Sequence, residues 1–210
     1  MKVLLINGSP HKNCYTFTAL SEISKTLEDC GVGSEIFHIG LAPISGCRAC
    51  GACSKIGKCA VKDSVNEFLD MAEYFDGFVF GSPVHYAAAS GALTSFMNRV
   101  FFVNFAAGRT IFEHKPAAAV ASARRSGTTA TLDQLNKYFT ITQMPVVSGR
   151  YWNMVHGHTP EEVRQDLEGM QNMRFLARNM AWLLKSIEAG KKAGVEMPRG
   201  EEAVYTNFIR

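Results

Sequence analysis

The sequence predicts an α/β domain built on a doubly wound parallel sheet. Two observations carry this expectation. Short apolar or β-branched runs alternate five times with longer stretches of helical period. Several of these runs stop at a turn rich in Gly, Ser or Pro, as buried parallel strands do. Size agrees: 210 residues, 47% hydrophobic and 20% charged, suit one large domain whose core needs no disulfide staples.

The first strand is expected over residues 2–7, a Val/Leu/Ile run ended by Gly8-Ser9-Pro10. A helix follows over 16–27, where Phe17, Leu20, Ile23 and Leu27 recur at steps of three and four. The second strand is 34–39. Residues 40–63 have no clear period and hold four cysteines. The next helix, 65–75, faces inward through Val65, Phe68, Leu69 and Ala72. The third strand is 77–81, closed by Ser82-Pro83. The helix 91–104 carries the stripe Leu93, Phe96, Met97, Val100 and Phe101. The fourth strand, 116–122, is mostly alanine. A short helix over 132–139 follows the turn Ser126-Gly127, and the fifth strand is expected over 145–148. The last helix, about 160–189, opens with the capping box Thr159-Pro160-Glu161-Glu162, buries Val163, Leu167, Met170, Leu176, Met180, Leu183 and Ile187, and ends at Gly190. No repeat, linker or composition break divides the chain, so a single domain is expected over 1–210, with a cysteine-rich insertion at about 43–62.

The bulk numbers exclude some partners. A formal net charge of +3 without a clustered basic face makes no case for nucleic acid. No apolar run approaches the roughly 18 residues of a membrane span. The apolar N-terminal run is too short for a secretory h-region and is stopped by Gly8. The expectation is a cytoplasmic protein without membrane or nucleic-acid partners. In that compartment thiols stay reduced. Of the six cysteines, four fall between 47 and 59, a clustering that points to metal, cluster or redox chemistry.

Three strand ends carry ligand chemistry. In Ile6-Asn7-Gly8-Ser9-Pro10-His11-Lys12-Asn13-Cys14-Tyr15-Thr16, a strand-to-helix turn presents backbone N–H groups and a helix N-terminus, suited to an anion. Ser9, Asn13 and Thr16 add hydrogen-bonding groups, and His11 or Lys12 adds charge. Neither the Walker nor the dinucleotide glycine pattern is present, and an ordinary capped connection fits the same residues. The second is Ser82-Pro83-Val84-His85-Tyr86, the third Ser122-Ala123-Arg124-Arg125-Ser126-Gly127. The carboxyl edge of an open α/β sheet is where ligands bind.

The spacing Cys47-x2-Cys50-x2-Cys53-x5-Cys59 admits an iron–sulfur cluster, zinc, a redox disulfide or free thiols in a structural loop. Arg124 and Arg125 suit a nucleotide phosphate or solvent equally. Tyr151-Trp152-Asn153 can wall a cofactor, though core or interface packing is the commoner use of Trp. His156 and His158 read as loop residues, Met170, Met173 and Met180 as helix packing, and Cys14 and Cys30 as isolated small residues.

The three loops, with Ser90-Gly91-Ala92-Leu93 and Asn98-Arg99, resemble the motifs of the NADPH-dependent FMN reductase and iron–sulfur flavoprotein branch of flavodoxin-like proteins. They occur in the right order over nearly the whole chain. The chain departs from that pattern at His11, where arginine is usual, at Cys14, where glycine is common, and at His85, where tyrosine is usual. The resemblance implies a flavodoxin-like three-layer sandwich with a five-stranded parallel sheet of order 2-1-3-4-5. It implies FMN bound through Ser9, His11, Asn13, Tyr15 and Thr16 at the phosphate, with the flavin between Ser82, Pro83, Val84, His85 and Tyr86 on one side and Ser122, Ala123, Arg124 and Gly127 on the other. It implies a [4Fe–4S] cluster on Cys47, Cys50, Cys53 and Cys59, a homodimer or homotetramer, and no obligatory catalytic side chain. The expected function is FMN-dependent, NAD(P)H-dependent reduction of flavin, quinone or similar small acceptors. The alternative is single-electron relay from a ferredoxin-type donor through the cluster to FMN. A third possibility is a non-enzymatic zinc-binding or redox-sensing protein.

Overall fold

A computed structural model of the chain describes residues 1–206 and 208; residues 207, 209 and 210 of the domain expected over 1–210 lie outside the described residues. In chain order the elements are β1 (Lys2–Asn7), α1 (Tyr15–Asp29), β2 (Gly33–His38), α2 (Cys53–Ile56), α3 (Ser64–Ala72), β3 (Gly77–His85), β4 (Ala88–Ala89), α4 (Gly91–Ala106), β5 (Ala117–Ala123), α5 (Thr128–Ile141), β6 (Met154–His156), α6 (Pro160–Gln165) and α7 (Leu167–Lys192).

The sheet runs β2-β1-β3-β5-β6, all parallel, and the two-residue β4 pairs antiparallel with the end of β3. Without β4 this is the expected order 2-1-3-4-5. Side chains of a strand alternate between faces, and each central strand here feeds two apolar layers. Leu4, Ile6, Phe78, Phe80, Ala117, Ala119 and Ala121 pack with α3, α4 and α5. Val3, Leu5, Val79, Ala118 and Val120 pack with α1, α6 and α7. Burial on both faces is why these strands read as unbroken apolar runs. The α4 side is filled by aromatic rings: Phe68, Phe78, Phe80, Phe96, Phe112 and Phe139 are fully buried. On the other side Arg174 of α7 donates to Glu22 of α1 at 2.5 Å. No helix among the described residues is long and apolar enough to cross a membrane.

Three elements differ from expectation. The fifth strand is Met154–His156, not 145–148. The earlier segment begins the pairing: Ala117 donates to the Pro145 carbonyl at 2.9 Å and Val147 to the Ala117 carbonyl at 2.8 Å. It then leaves the sheet for five residues and returns opposite Ala121 to Ala123. Side chains satisfy the excursion. Asn172 Oδ1 accepts from the Arg150 and Tyr151 amides, its Nδ2 donates to the Tyr151 and Trp152 carbonyls, and Asn153 Oδ1 accepts from Gly149.

The last helix is two helices. Thr159 caps α6 as expected, accepting from Glu162 N. The helix breaks at Asp166, whose carboxylate accepts from the Gly169 amide at 2.9 Å and the His156 amide at 2.7 Å. The break turns Leu167 outward, 76% exposed. Gly190 does not end α7, which runs on to Lys192.

The third strand is longer than 77–81. It continues through Pro83, beside Ser122, and folds back through β4. Pro83 has no N–H to contribute, and the Ser82 hydroxyl accepts instead from Ser90 N at 3.0 Å, closing the hairpin.

Candidate functional site

At the carboxyl end of β1 the chain can turn because residue 8 has no side chain. Gly8 N donates to the Gly81 carbonyl at 2.8 Å. A Cβ at Gly8 would lie 2.7 Å from Leu93 Cδ2 and 2.8 Å from that carbonyl. Asn7 braces both sides of the next turn: its Oδ1 accepts from Ser9 N and its Nδ2 donates to the Lys12 carbonyl, each at 3.0 Å. Ser9 is fully buried. Its hydroxyl accepts from His11 N at 3.1 Å, and its carbonyl lies 2.8 Å from His38 Nε2 at the end of β2.

This bracing leaves His11, Lys12 and Asn13 exposed. Cys14 is the N-cap of α1 but makes no side-chain cap bond, and the first backbone bond of that turn is Thr18 N to Cys14 O. The amides of the first turn are thus open to an anion. Burial, with Cys14 alongside, pushes the Tyr15 phenol up from its ordinary value, so it remains a donor at neutral pH.

Thr16 and Ser122 lie beneath this edge, both buried, their hydroxyl oxygens 2.7 Å apart; Ser122 also donates to the Ser82 carbonyl at 3.4 Å. Hydroxyls of α1 and β5 and a carbonyl of β3 thus tie the floor together. Above it stand two loops. The β3–β4 hairpin exposes His85 and Tyr86, the latter at φ 60°, a conformation side chains rarely adopt. The β5–α5 loop exposes Arg124, Arg125 and Ser126 and turns at Gly127, φ 94°. A Cβ at Gly127 would lie 2.8 Å from Val84 Cγ1, so these two loops touch. The structure therefore brings Ser9, His11, Asn13, Tyr15, Thr16, Ser82 to Tyr86 and Ser122 to Gly127 to one end of the sheet. An uncapped helix start and two abutting loops fit the phosphate and ring of FMN.

The cysteines form a second feature. Cys53 opens α2 and is buried, Cys59 is half-buried, and Cys47 and Cys50 are exposed; all six cysteines are free thiols. The chain between Cys47 and Cys53 turns at Ala49, φ 50°, and Gly51, φ 67°. Cys47, Cys50, Cys53 and Cys59 line a single cavity of about 290 Å³, walled by Val61, Arg99, Phe102 and Val103. No group of three or more His, Cys, Asp or Glu among the described residues converges on a single metal ion. Four cysteines on one cavity are a donor set that fits an iron–sulfur cluster.

Residues outside the cysteine motif hold this loop. Asn66 of α3 accepts from Cys59 N and donates to the carbonyls of Cys59 and Val61. Arg99 of α4, 1% exposed, donates to both carboxylate oxygens of Asp63, at 2.5 and 2.9 Å, and through Nε and Nη2 to Cys59 Sγ, at 3.3 and 3.2 Å. Burial opposes its charge, but bonds to Asp63 and Cys59 outweigh burial and hold the guanidinium above its ordinary value. Sequence reading assigned no role to Asn66, Asp63, His38 or Arg99. Arg99 carried two signals, its place in the motif Asn98-Arg99 and its position as a charge inside the apolar stripe of α4. The backbone amide of His156 donates to Asp166, its ring Nδ1 lies 3.8 Å from the same carboxylate, and Tyr151 and Trp152 are more than half exposed.

The fold is that of flavodoxin-like proteins. The profile of the NADPH-dependent FMN reductase family matches residues 1–159, and the chain belongs to that family. It is an FMN-dependent oxidoreductase. Similar proteins include an iron–sulfur flavoprotein of Methanocaldococcus jannaschii, 28% identical over 90% of this chain and 100% of the relative. Another iron–sulfur flavoprotein, from Methanosarcina thermophila, is 23% identical over 91% and 99%. An NAD(P)H:quinone oxidoreductase from Methanothermobacter marburgensis superposes with a TM-score of 0.65 at 15% identity, covering 86% of this chain and 98% of that one.

Proposed function

We propose that the protein is an iron–sulfur flavoprotein that relays single electrons between a ferredoxin-type donor and FMN, with Cys47, Cys50, Cys53 and Cys59 holding a [4Fe–4S] cluster. The observation that carries this reading is that all four thiols line one cavity. The similarity to iron–sulfur flavoproteins over 90% and 91% of the chain supports it. When bound, FMN supplies two-electron chemistry and the cluster one-electron chemistry.

The chain's own residues do the rest. The loop of residues 8–14 and the open start of α1 hold the phosphate, with charge from His11 or Lys12. Residues 82–86 and 122–127 flank the ring and orient it. Exposed Cys47 and Cys50 put one side of the cluster cavity at the surface, where a donor protein can dock. Phe102 and Phe105, 43% and 67% exposed on α4, offer a face for a second copy. A second reading keeps NAD(P)H as the donor. It is favoured by Arg124 and Arg125, exposed at the ligand edge, where their charge suits a nucleotide phosphate.

Purification without oxygen, followed by absorption spectroscopy with iron and sulfide assays, tests the proposal. Bound flavin with about four irons per chain is expected, and Cys53→Ser should abolish iron while retaining FMN. Flavin without iron after anaerobic reconstitution would leave an FMN-only reductase and make the cysteine loop structural.

A further inference from the structure

The geometry points to Arg99 as the residue that sets the reduction potential of the cysteine-held cluster, through two N–H···S hydrogen bonds to Cys59. This rests on the cluster reading above. Arg99 points every polar group into the cysteine segment. Besides Asp63 and Cys59, it donates to the carbonyls of Ser45 and Val61, at 3.4 and 3.2 Å. Anchoring the loop needs only the two-pronged pair with Asp63 and those carbonyls. The two N–H groups aimed at Cys59 Sγ are additional, and they meet the one sulfur of the four that also has its backbone clamped, by Asn66.

A thiolate ligand carries part of the charge of any electron placed on a cluster. Donors and positive charge at that sulfur therefore stabilise the reduced state more than the oxidised one, and hydrogen bonds to sulfur are a recognised lever on cluster potential. Arg99 is buried, unlike Cys47 and Cys50, which are exposed, so its charge acts on Cys59 with less screening than a surface charge would. Asp63 opposes it, placing a negative charge on the far side of the same guanidinium. Reduction adds one electron from the ferredoxin-type donor, breaks no bond and moves no proton onto Arg99, which is already charged. Lysine cannot replace this arrangement, because a point charge does not present two converging donors.

The test is an EPR-monitored redox titration of the anaerobically reconstituted full chain, with iron assayed first on each sample. Arg99→Gln should lower the cluster potential by at least a tenfold change in the reduced-to-oxidised ratio, about 59 mV for a one-electron couple. Asp63→Asn keeps a side-chain acceptor for Val65 N, which Asp63 bonds at 3.2 Å, and should shift the potential the opposite way. Shifts of the same sign would mean that both changes merely open the pocket to water, and that would overturn the proposal, as would an unchanged potential in Arg99→Gln. Wild-type protein without iron would instead defeat the cluster reading, and the role of Arg99 with it. Should Arg99→Gln not hold a cluster, wild-type protein grown with 15N-arginine decides the matter. Pulsed EPR of its reduced cluster should show a 15N coupling, and its absence would refute the hydrogen bonds.

Discussion

Gly127→Ala measures how firmly the two ring-flanking loops are locked together. Two costs can be worked out from the structure. At φ 94° an alanine would sit in left-handed territory, which costs about 1–2 kcal/mol. Its Cβ would lie 2.8 Å from Val84 Cγ1, with other Val84 atoms no nearer than 3.9 Å; such overlap typically costs about 1–3 kcal/mol. The expected loss is therefore about 2–5 kcal/mol. Val84→Ala removes the obstructing methyl at a cost of about 1 kcal/mol, since Val84 is only partly buried. The double variant retains the backbone strain but not the overlap, so it should lose about 2–3 kcal/mol rather than the additive sum. The coupling is then about 1–3 kcal/mol. Urea unfolding of flavin-free protein, followed by far-UV circular dichroism with constant m-values, reads these differences. Additivity within about 0.5 kcal/mol would refute the claim that the loops are in contact, and wild-type stability of Gly127→Ala would refute both costs.

Other perturbations test other parts of the architecture. Asn172→Ala strips four backbone bonds from residues 150–152 and should cost about 2–4 kcal/mol, with faster hydrogen exchange at Arg150 and Tyr151; unchanged exchange would show that the excursion holds itself. Ser122→Ala should cost about 1–2 kcal/mol by orphaning the buried Thr16 hydroxyl, Thr16→Val should cost less because Ser122 keeps the Ser82 carbonyl, and the double variant should cost less than their sum, as thermal melts would show. Burial holds Lys115 below its ordinary 10.5, against the pull of Asp76 and Glu73. Between that lowered value and 10.5 the unfolded chain binds more protons, so stability rises with pH through this window. Lys115→Met should flatten that slope in urea midpoints measured across alkaline pH; a slope that survives assigns it to another group.

The parts of the fold that were legible in the sequence are those whose partners lie within a turn or on the same strand face. β1, β5, α1 and α4 declared themselves by period, and the ligand edge by turn residues at strand ends. The fifth strand was misplaced because Pro145-Val146-Val147 is locally more strand-like than Met154-Val155-His156. What favours the later segment is Asn172, a side chain of α7 that no local pattern announces. Asp166 breaks the last helix in the same hidden way, since an aspartate in a helical stretch looks like any solvated carboxylate until His156 and Gly169 are seen to donate to it. At the site, spacing grouped the cysteines, but Arg99 meets Cys59 across 40 residues of sequence; the motif Asn98-Arg99 and a charge in an apolar stripe mark the residue, but neither says which partner it finds.

That range also governs the order in which the molecule can be assembled. The cysteine segment is emitted before α4, yet its docking bonds go to Arg99 on α4 and to Asn66 on α3. A chain still being synthesised therefore has the four thiols but not the clamp that gathers them. The thiol pocket comes into being only once the helices that close the aromatic half of the core have packed. The walls of the cysteine cavity are therefore its last part to be supplied, since Arg99, Phe102 and Val103 all follow the cysteines in the chain.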